Sequence, residues 1–269
     1  MRKLLKPIIF TALACTFLLG AGMSARAASK VAINDENFAW VVKERADEAD
    51  TNQDGYLSEK EASKVKTLWF SSRYNIDSFK GIEYFTDVEK FVYRANIVDE
   101  ESNDIDVYEE STAPVVDLSG FKKLKSVHIH SRTDHLKTVN LQGCTNLREV
   151  KIFSAYRTTA IDALELKGCT NLRTLDLMWT NIKKINLSGF KHLTEVSIDD
   201  DKNSLQILNL KKCSNLKTVR VSSDRLTKLK LKGDGKLESL NVTAASLTHL
   251  DLTSNTQLKD LHLGRGTKV

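Results

Sequence analysis

The stretch "LKTVNLQGCTNLREVKI", residues 136–152, carries the apolar pattern that decides the fold. The pattern L-x-x-L-x-L, with valine or isoleucine at some of its L positions, occurs twice, and the residues "QGC" lie between the two copies. Because side chains alternate between the faces of an extended chain, Val139 and Leu141 point to one side and Asn140 to the other. One such segment cannot cover its own apolar face, so similar segments must stack on it.

Related segments follow one another along the chain. They start at residues 113, 136, 161, 182, 205, 226 and 247, and these intervals fall within the range of about 20–29 residues that is typical of leucine-rich repeats. Both halves of each repeat alternate like strands, and no interval is long enough for a good helix. The sequence therefore predicts a leucine-rich repeat solenoid, a β-rich right-handed superhelix with strands on both walls.

Residues 65–96, "VKTLWFSSRYNIDSFKGIEYFTDVEKFVYRAN", carry a weaker version of the same pattern. We interpret them as the first coil, whose larger aromatic side chains pack against a helical cap. The acidic run "VDEESNDIDVYEE", residues 98–110, interrupts the repeats. The predicted organisation is a cap at 28–64 and a repeat domain at 65–269, with an acidic insertion at 97–112.

The first 27 residues read as a secretory signal peptide. A basic start precedes an apolar run from Pro7 to Leu19 and a small-x-small cleavage pattern at Ala25-Arg26-Ala27. The apolar run is too short to span a bilayer comfortably. We therefore expect a secreted or extracellular protein, free or at the cell surface, with no membrane span.

Charge is distributed unevenly along the predicted mature chain. Residues 28–112 contain 10 basic and 20 acidic side chains, whereas residues 113–269 contain 26 basic and 15 acidic ones. A basic body can attract nucleic acid. Its charges are interleaved with acids and have few aromatic residues among them, so we expect no nucleic-acid partner.

The run "DTNQDGYLSEKE", residues 50–61, fits the EF-hand pattern at all its constrained positions. Such a loop surrounds calcium with oxygen atoms from positions 1, 3, 5, 7, 9 and 12, and glycine at position 6 allows the sharp turn. The sequence predicts a calcium site with ligands Asp50, Asn52, Asp54, Tyr56 through its carbonyl oxygen, Ser58 and Glu61. Asn34 or Asp35 can cap the incoming helix, whose Phe38, Val41 and Val42 form an apolar stripe.

Taken together, "INDENF", the acidic loop, "VKTLWF", "FKGIEYFTDVEKF" and the tandem repeats resemble a family of secreted leucine-rich repeat proteins of Gram-positive bacteria. The repeats are similar in style to those of internalins. The resemblance covers nearly all of the mature chain. It implies an extracellular or cell-surface module whose solenoid contacts other macromolecules, with a calcium loop built into its N-terminal cap.

One repeat position holds all three cysteines of the predicted mature chain. The residues at this position are Cys144, Cys169, Phe190, Cys213, Asp234 and Asn255. Cys144 and Cys169 lie on adjacent coils, close enough for a disulfide, whereas Cys213 is two coils farther along. Buried free thiols that fill a small apolar slot are the alternative.

The outward strand positions are polar and mixed in charge, which suits a protein-binding face. The candidate contacts are Asn140, Glu165, Asn186, Asn209 and Lys230 on one wall and Lys151, Asp176 and Arg220 on the other. We expect a non-enzymatic monomer that binds a protein partner, because no nucleophile beside a base, paired-carboxylate cleft or phosphate loop can be identified. A glycan or cell-wall ligand is the alternative. His128 and His130 alternate on one strand, where exposed histidines and a transition-metal site are both conceivable.

Overall fold

The repeats stack into a β-solenoid of about seven turns, as predicted. The structure, a computed structural model, describes residues 30–46, 49–54, 57–71, 75–94, 112–131, 135–154, 161–200, 204–264 and 266–267. The predicted signal peptide, Gly55, Tyr56 and nearly all of the predicted acidic insertion lie outside these residues.

One wall of the solenoid is a continuous parallel sheet, which we call the long wall. Within the described residues it contains nine strands, in the order β1-β2-β4-β6-β8-β10-β12-β14-β15. Their bounds are β1 Thr67–Ser71, β2 Lys90–Arg94, β4 Ser126–Ser131, β6 Glu149–Ser154, β8 Thr174–Met178, β10 Glu195–Asp199, β12 Thr218–Ser222, β14 Ser239–Thr243 and β15 Asp260–Leu263.

The opposite wall, the short wall, is divided. Its described strands are only three residues long and form two parallel sheets, ordered β3-β5-β7 and β9-β11-β13. Their bounds are β3 Val115–Asp117, β5 Thr138–Asn140, β7 Ala163–Glu165, β9 Lys184–Asn186, β11 Ile207–Asn209 and β13 Lys228–Lys230. The sheet is interrupted between β7 and β9, so only the long wall runs from one end to the other.

Strand register places equivalent repeat positions side by side. Val139 pairs with Val116 on one side and Leu164 on the other, and Val150 pairs with Val127 and Leu175. The residues between them on each strand face outward. The inward side chains of both walls form one continuous buried core, which confirms the alternation predicted from the sequence.

A small helical cap covers the N-terminal end. Helix α1 spans Glu36–Ala46 and helix α2 spans Glu59–Ala62, and the predicted apolar stripe of α1 is buried. Phe38 meets Phe70 and Phe79 edge-on, at ring-centroid distances of 5.5 and 5.7 Å, which is a favourable aromatic geometry. No helix in the described part of the chain is both long enough and apolar enough to cross a bilayer.

Residues 65–96 differ from the later repeats in one respect. Their two apolar groups lie on β1 and β2, which pair with each other within the long wall. They are therefore one full repeat apart and do not form opposite walls of one coil. The segment that returns between them contains a 3-10 turn at Ile82–Tyr84, and its described residues form no strand.

The last repeat is also incomplete. Residues 247–252 form no strand, and Leu250 and Leu252 are only half-buried. On β15, Leu261 and Leu263 are 48% and 36% exposed, although their partners on β14, Leu240 and Val242, are buried. Inward leucines are covered only where another coil stacks on them.

The three cysteines in the described part of the chain are free and buried. Each thiol donates to a backbone carbonyl of the coil before it: Cys144 to Leu118, Cys169 to Leu141 and Cys213 to Leu187, with Sγ–O distances of 3.0, 3.0 and 3.1 Å. Burial raises the pKa of Cys144 to about 11 and those of Cys169 and Cys213 to about 12. Of the two alternatives, the structure shows free thiols that link adjacent coils by hydrogen bonds.

Candidate functional site

The acidic loop is anchored at both of its ends. Asp35 caps α1, as one of the two predicted capping residues, and its Oδ1 accepts the Phe38 amide at 2.8 Å. At the far end, Val31 donates its amide to the Leu57 carbonyl at 3.0 Å, and Lys30 forms an antiparallel bridge with Ser58. The N-terminal segment therefore holds the end of the loop against the cap.

Side-chain oxygens at the start of the loop converge on one amide. Asp54 donates its N–H to Oδ1 of Asn52 at 3.0 Å and to Oδ1 of Asp50 at 3.3 Å. Gln53, which lies between Asn52 and Asp54 in the chain, has a positive φ of 57°, a left-handed conformation that is uncommon for residues other than glycine. This turn brings the first two predicted ligands to the same side of the loop.

Glu61 lies under the loop and is 4% exposed. Its Oε1 accepts the amide and hydroxyl of Thr51, both at 2.9 Å, and its Oε2 accepts the amide and hydroxyl of Ser58 at 3.0 and 2.7 Å. Hydrogen bonds from Ser58 and then Thr51 lower the pKa of Glu61 to about 2. Ser58 and Glu61 also form a capping box at the start of α2, a role that the sequence analysis did not assign to them.

The donor atoms of this loop fit calcium, whose preferred ligands are carboxylate, amide and hydroxyl oxygens. Their present arrangement does not gather them around one point. Within the described residues, no three acidic, histidine or cysteine side chains are close enough to share an ion. Glu61 is instead occupied by Thr51 and Ser58, so it could bind a cation only by exchanging some of these hydrogen bonds. Tyr56, the fourth predicted ligand, lies outside the described residues.

The short-wall candidates have a structural role in the turns. In five coils, an outward Asp or Asn accepts the amide of the residue two positions later, and these residues are Asp117, Asn140, Asn186, Asn209 and Asp251. Such bonds stabilise turns locally. Asn209 also donates to Asn186 at 2.9 Å, while Glu165 and Lys230 occupy the same outward row. The turns therefore explain the Asn and Asp residues of this row without a partner.

The long-wall candidates lie in one outward row, and its basic members Lys151 and Arg220 pair with acids of the neighbouring row. His128, Lys151, Asp176, Ser197, Arg220, Asn241 and His262 follow one another in register. Lys151 lies 2.6 Å from Glu149, and Arg220 lies 3.0 Å from Glu195. Burial raises the pKa of Asp176, an effect that Lys151 partly opposes.

The outward positions of the long wall also include apolar residues that the repeat pattern did not single out. We call Trp69, Val92, His130, Phe153 and Met178 the apolar patch, which spans five successive strands. Trp69 and Val92 are in register with His128 of the first outward row, whereas His130, Phe153 and Met178 form a second row. Phe153 and Met178 pair in register and are half-buried, and the His130 ring meets Phe153 edge-on at 6.4 Å. The signal was present in the "VKIF" and "LDLM" segments, because the residue two positions after an outward residue also faces outward.

The two histidines of β4 have ordinary protein contacts. His128 Nε2 lies 2.9 Å from Glu149 Oε2, and His130 packs against Phe153. Burial raises the pKa of Glu149, but hydrogen bonds from Lys151 and His128 outweigh it and hold this pKa below its usual range. These contacts account for both histidines without a transition metal.

No protein-family model and no curated protein sequence matches this chain. Among solved structures, the leucine-rich repeat domain of the type III effector XopL is 15% identical, with 76% of this chain and 71% of that one covered and a TM-score of 0.42. The internalin InlF of Listeria monocytogenes is 13% identical (91% and 95% covered, TM-score 0.27). The InlJ functional domain of the same organism, which includes a cysteine ladder, is 18% identical (80% and 56% covered, TM-score 0.27).

Proposed function

We propose that this protein is a non-enzymatic, secreted or cell-surface module that binds another protein through its long wall, with calcium bound structurally in the cap. The observation that carries the proposal is the apolar patch on the outward face of the continuous sheet. The ion-paired row that contains Lys151 and Arg220 lies beside its Phe153 and Met178. Protein interfaces have this composition, an aromatic and apolar centre beside polar groups.

The long wall is a better candidate than the short wall for two reasons. Its strands form one uninterrupted surface, whereas the short wall is divided between β7 and β9. The Asn and Asp side chains of the short wall are also engaged by their own turns. Lys151 and Arg220 of the long wall are held by ion pairs on the surface, which contribute little to stability and can be exchanged for contacts with a partner.

Matched double variants test the binding surface. Phe153→Asp with Met178→Asp should abolish capture of the partner from extracellular protein extracts, because two charges would replace the centre of the apolar patch. Thr138→Asp with Lys184→Asp, two outward positions of the short wall, is the control and should retain capture. Loss only in the short-wall variant would contradict the proposal, and capture of mucin or peptidoglycan glycans alone would favour the glycan alternative.

Calcium in the cap is proposed from the loop sequence and its donor set. Extracellular calcium modules bind in about the 10⁻⁴ to 10⁻³ M range, so the site would be filled outside the cell and would stabilise the cap. Calorimetric titration of calcium into chelator-treated protein should show saturable heat and a higher melting temperature. Asp50→Asn keeps the acceptor for the Asp54 amide but removes a charge, and it should weaken calcium binding about tenfold or more. Absence of saturable heat in the unmodified chain would contradict the proposed calcium site.

A further inference from the structure

A cleft of about 380 Å³ opens on the short wall, beside the outer edge of β3. Phe79, Ile82 and Phe121 supply buried apolar surface to its lining. The polar lining residues are Asp77, Ser78, Lys80, Glu83, Asp117 and Ser119, and Pro114 and Val115 complete the lining. Val115 is 41% exposed, which is unusual for a strand valine in this solenoid.

The cleft exists because the segment from Asp77 to Gly81 packs against the cap and forms no strand beside β3. Asp35 Oδ2 accepts the amides of Asp77 and Ser78, at 2.7 and 3.0 Å, and so ties this segment to the start of α1. Gly81 packs against the same N-terminal segment: a Cβ there would lie 2.9 Å from the carbonyl oxygen of Ala32 and from the side chain of Ile33. In the following coils, a short-wall strand occupies the equivalent space.

The uncovered edge of β3 presents backbone hydrogen-bonding groups to the cleft. Pro114 accepts from Thr138 of β5, and Leu118 donates to Asn140, so the even-numbered residues of this segment face β5. Because successive residues of a parallel strand bond to opposite neighbours, the N–H and C=O groups of Val115 and Asp117 face the cleft. Within the described residues, β5 is the only strand that pairs with β3.

The negative net charge of the residues that line the cleft favours a positively charged ligand. Asp77, Glu83 and Asp117 place three carboxylates around the cleft, against one ammonium group from Lys80. Surface near an uncompensated negative charge attracts cationic groups. The preceding segment of this chain, residues 97–111, is rich in acids and contains no lysine or arginine, so its charge does not complement the cleft.

We infer that this cleft binds a short, extended, basic peptide segment of another protein, which adds a strand to the free edge of β3. In this mode of recognition, main-chain hydrogen bonds supply affinity and alternate side chains supply specificity. Apolar side chains of the peptide would cover Phe79 and Phe121, and lysine or arginine side chains would meet Asp77 and Glu83. The cleft is near the lower end of the usual ligand-pocket range, about 300–1,000 Å³, which limits the occupant to a few residues.

This site is independent of the long-wall contact proposed above, and peptides of defined sequence test it. The probe is a fluorescein-labelled peptide KVKVK, titrated with the full chain at low ionic strength and followed by fluorescence polarisation. Saturable binding is expected. The peptide EVEVE, of opposite charge, and a KVKVK peptide N-methylated at both valines, which has lost two amide donors, should bind at least about tenfold more weakly.

Two substitutions at one position separate backbone pairing from packing. Val115→Pro removes the N–H that faces the cleft but no hydrogen bond to β5, so the edge strand should tolerate it. It should weaken KVKVK binding about tenfold at an unchanged melting temperature. Val115→Ala keeps the N–H and should stay within about twofold of the unmodified chain.

A third variant tests the charge without relying on a proline. Asp77→Asn with Glu83→Gln keeps acceptor oxygens for the Thr112 hydroxyl and the Gly81 amide, and it should weaken binding about threefold to tenfold. Hydrogen exchange at the Val115 and Asp117 amides should slow when KVKVK binds. Absence of saturable KVKVK binding, equal binding of EVEVE, or unchanged exchange at these amides would each overturn the inference.

Discussion

Two buried carboxylates, one in the N-terminal cap and one near the opposite end of the solenoid, have opposite pKa shifts. In the cap, Glu61 accepts four hydrogen bonds from Thr51 and Ser58, and its pKa falls to about 2. Near the other end, fully buried Asp234 accepts only the Cys213 amide, at 2.7 Å, and its Oδ2 has no partner within the described residues. Burial, partly opposed by that bond, raises the pKa of Asp234 to about 7. The number of donors, and not burial alone, decides which charge state is stable.

The extent to which the apolar core is covered also differs between the cap and the opposite end of the solenoid. The cap buries Phe38 completely against the first coil, whereas Leu261 of β15 is 48% exposed. Both side chains occupy positions that point toward the apolar interior. An inward residue therefore contributes to stability in proportion to what stacks on it, and substitutions in the two regions measure this difference.

The largest effect is expected at the covered end. Phe38→Ala should lower the free energy of unfolding by about 3–5 kcal/mol, because it removes a fully buried ring and leaves a cavity. Urea unfolding, together with hydrogen exchange in α1, measures the loss. Trp40→Ala, on the same helix at a side chain that is 45% exposed, is the control. A loss below about 1 kcal/mol for Phe38→Ala would show that the cap does not contribute to the cooperative core.

A matched pair compares covered and uncovered leucines at equivalent positions. Leu240 and Leu261 pair in register on β14 and β15 and differ in burial, at 1% and 48% exposed. Leu240→Ala should cost about 2–5 kcal/mol, and Leu261→Ala less than about 1 kcal/mol. Equal losses in urea unfolding would mean that the last strand is covered in solution.

Asp234 should make stability depend on pH. Its folded pKa of about 7 lies above its ordinary value of 3.8, so its contribution is fully present below pH 3.8 and is lost as the pH rises through 7. Asn255, in the next coil, donates to the carbonyl oxygens of Leu231 and Asp234, which shows that an amide fits this position. The free energy of unfolding of Asp234→Asn, relative to that of the unmodified chain, should therefore increase by roughly 2 kcal/mol from pH 5 to pH 8.

Thermal unfolding of both proteins at the two pH values tests this expectation, with the exposed Asp260→Asn as control. The control should follow the unmodified chain at both pH values. A constant difference between Asp234→Asn and the unmodified chain would show that Asp234 does not take up a proton in the folded state.

The smallest effect is expected at Glu61, and it should be local. Because the folded pKa of Glu61 is lowered to about 2 from 4.5, its contribution is present above pH 4.5 and is lost as the pH falls through 2. In chelator-treated protein, Glu61→Gln should speed amide exchange at Thr51 and Ser58 at pH 7 with little change in the melting temperature, because α2 has only one turn. Glu59→Gln, at the first position of the same helix, should leave these amides unchanged. Equal amide protection in Glu61→Gln and the unmodified chain would show that the hydrogen bonds to Glu61 do not hold the loop.

The repeat period was predictable because it depends on a local property. Alternation within each L-x-L segment assigns Val139 and Leu141 to the interior without reference to the rest of the chain. The two-walled architecture follows, because each repeat contains two such segments. The first coil was harder to predict: its apolar groups resemble a two-walled repeat, and only strand pairing shows that β1 and β2 belong to the same wall.

The candidate sites were predictable only in part. The spacing of the acidic loop names its candidate ligands, but Glu61 is engaged by Thr51 and Ser58, which the pattern treats as separate positions. The apolar patch was missed because only one outward position per strand was considered, although Phe153 and Met178 are the next outward residues on their strands. The cleft at β3 could not be predicted, since Asp35 is distant in sequence from the segment that it holds.

Local patterns in the amino-acid sequence were enough to predict the solenoid, its two walls, the inward residues and the candidate ligands of the acidic loop. These features follow from periods of two and of about 21 to 25 residues that can be counted along the chain. The folded chain was needed to establish which wall is continuous, where β3 is left uncovered, and why Glu61 and Asp234 prefer opposite charge states. Each of these depends on donors or on covering surface supplied from elsewhere in the chain, and no local pattern specifies how many neighbours a side chain will meet.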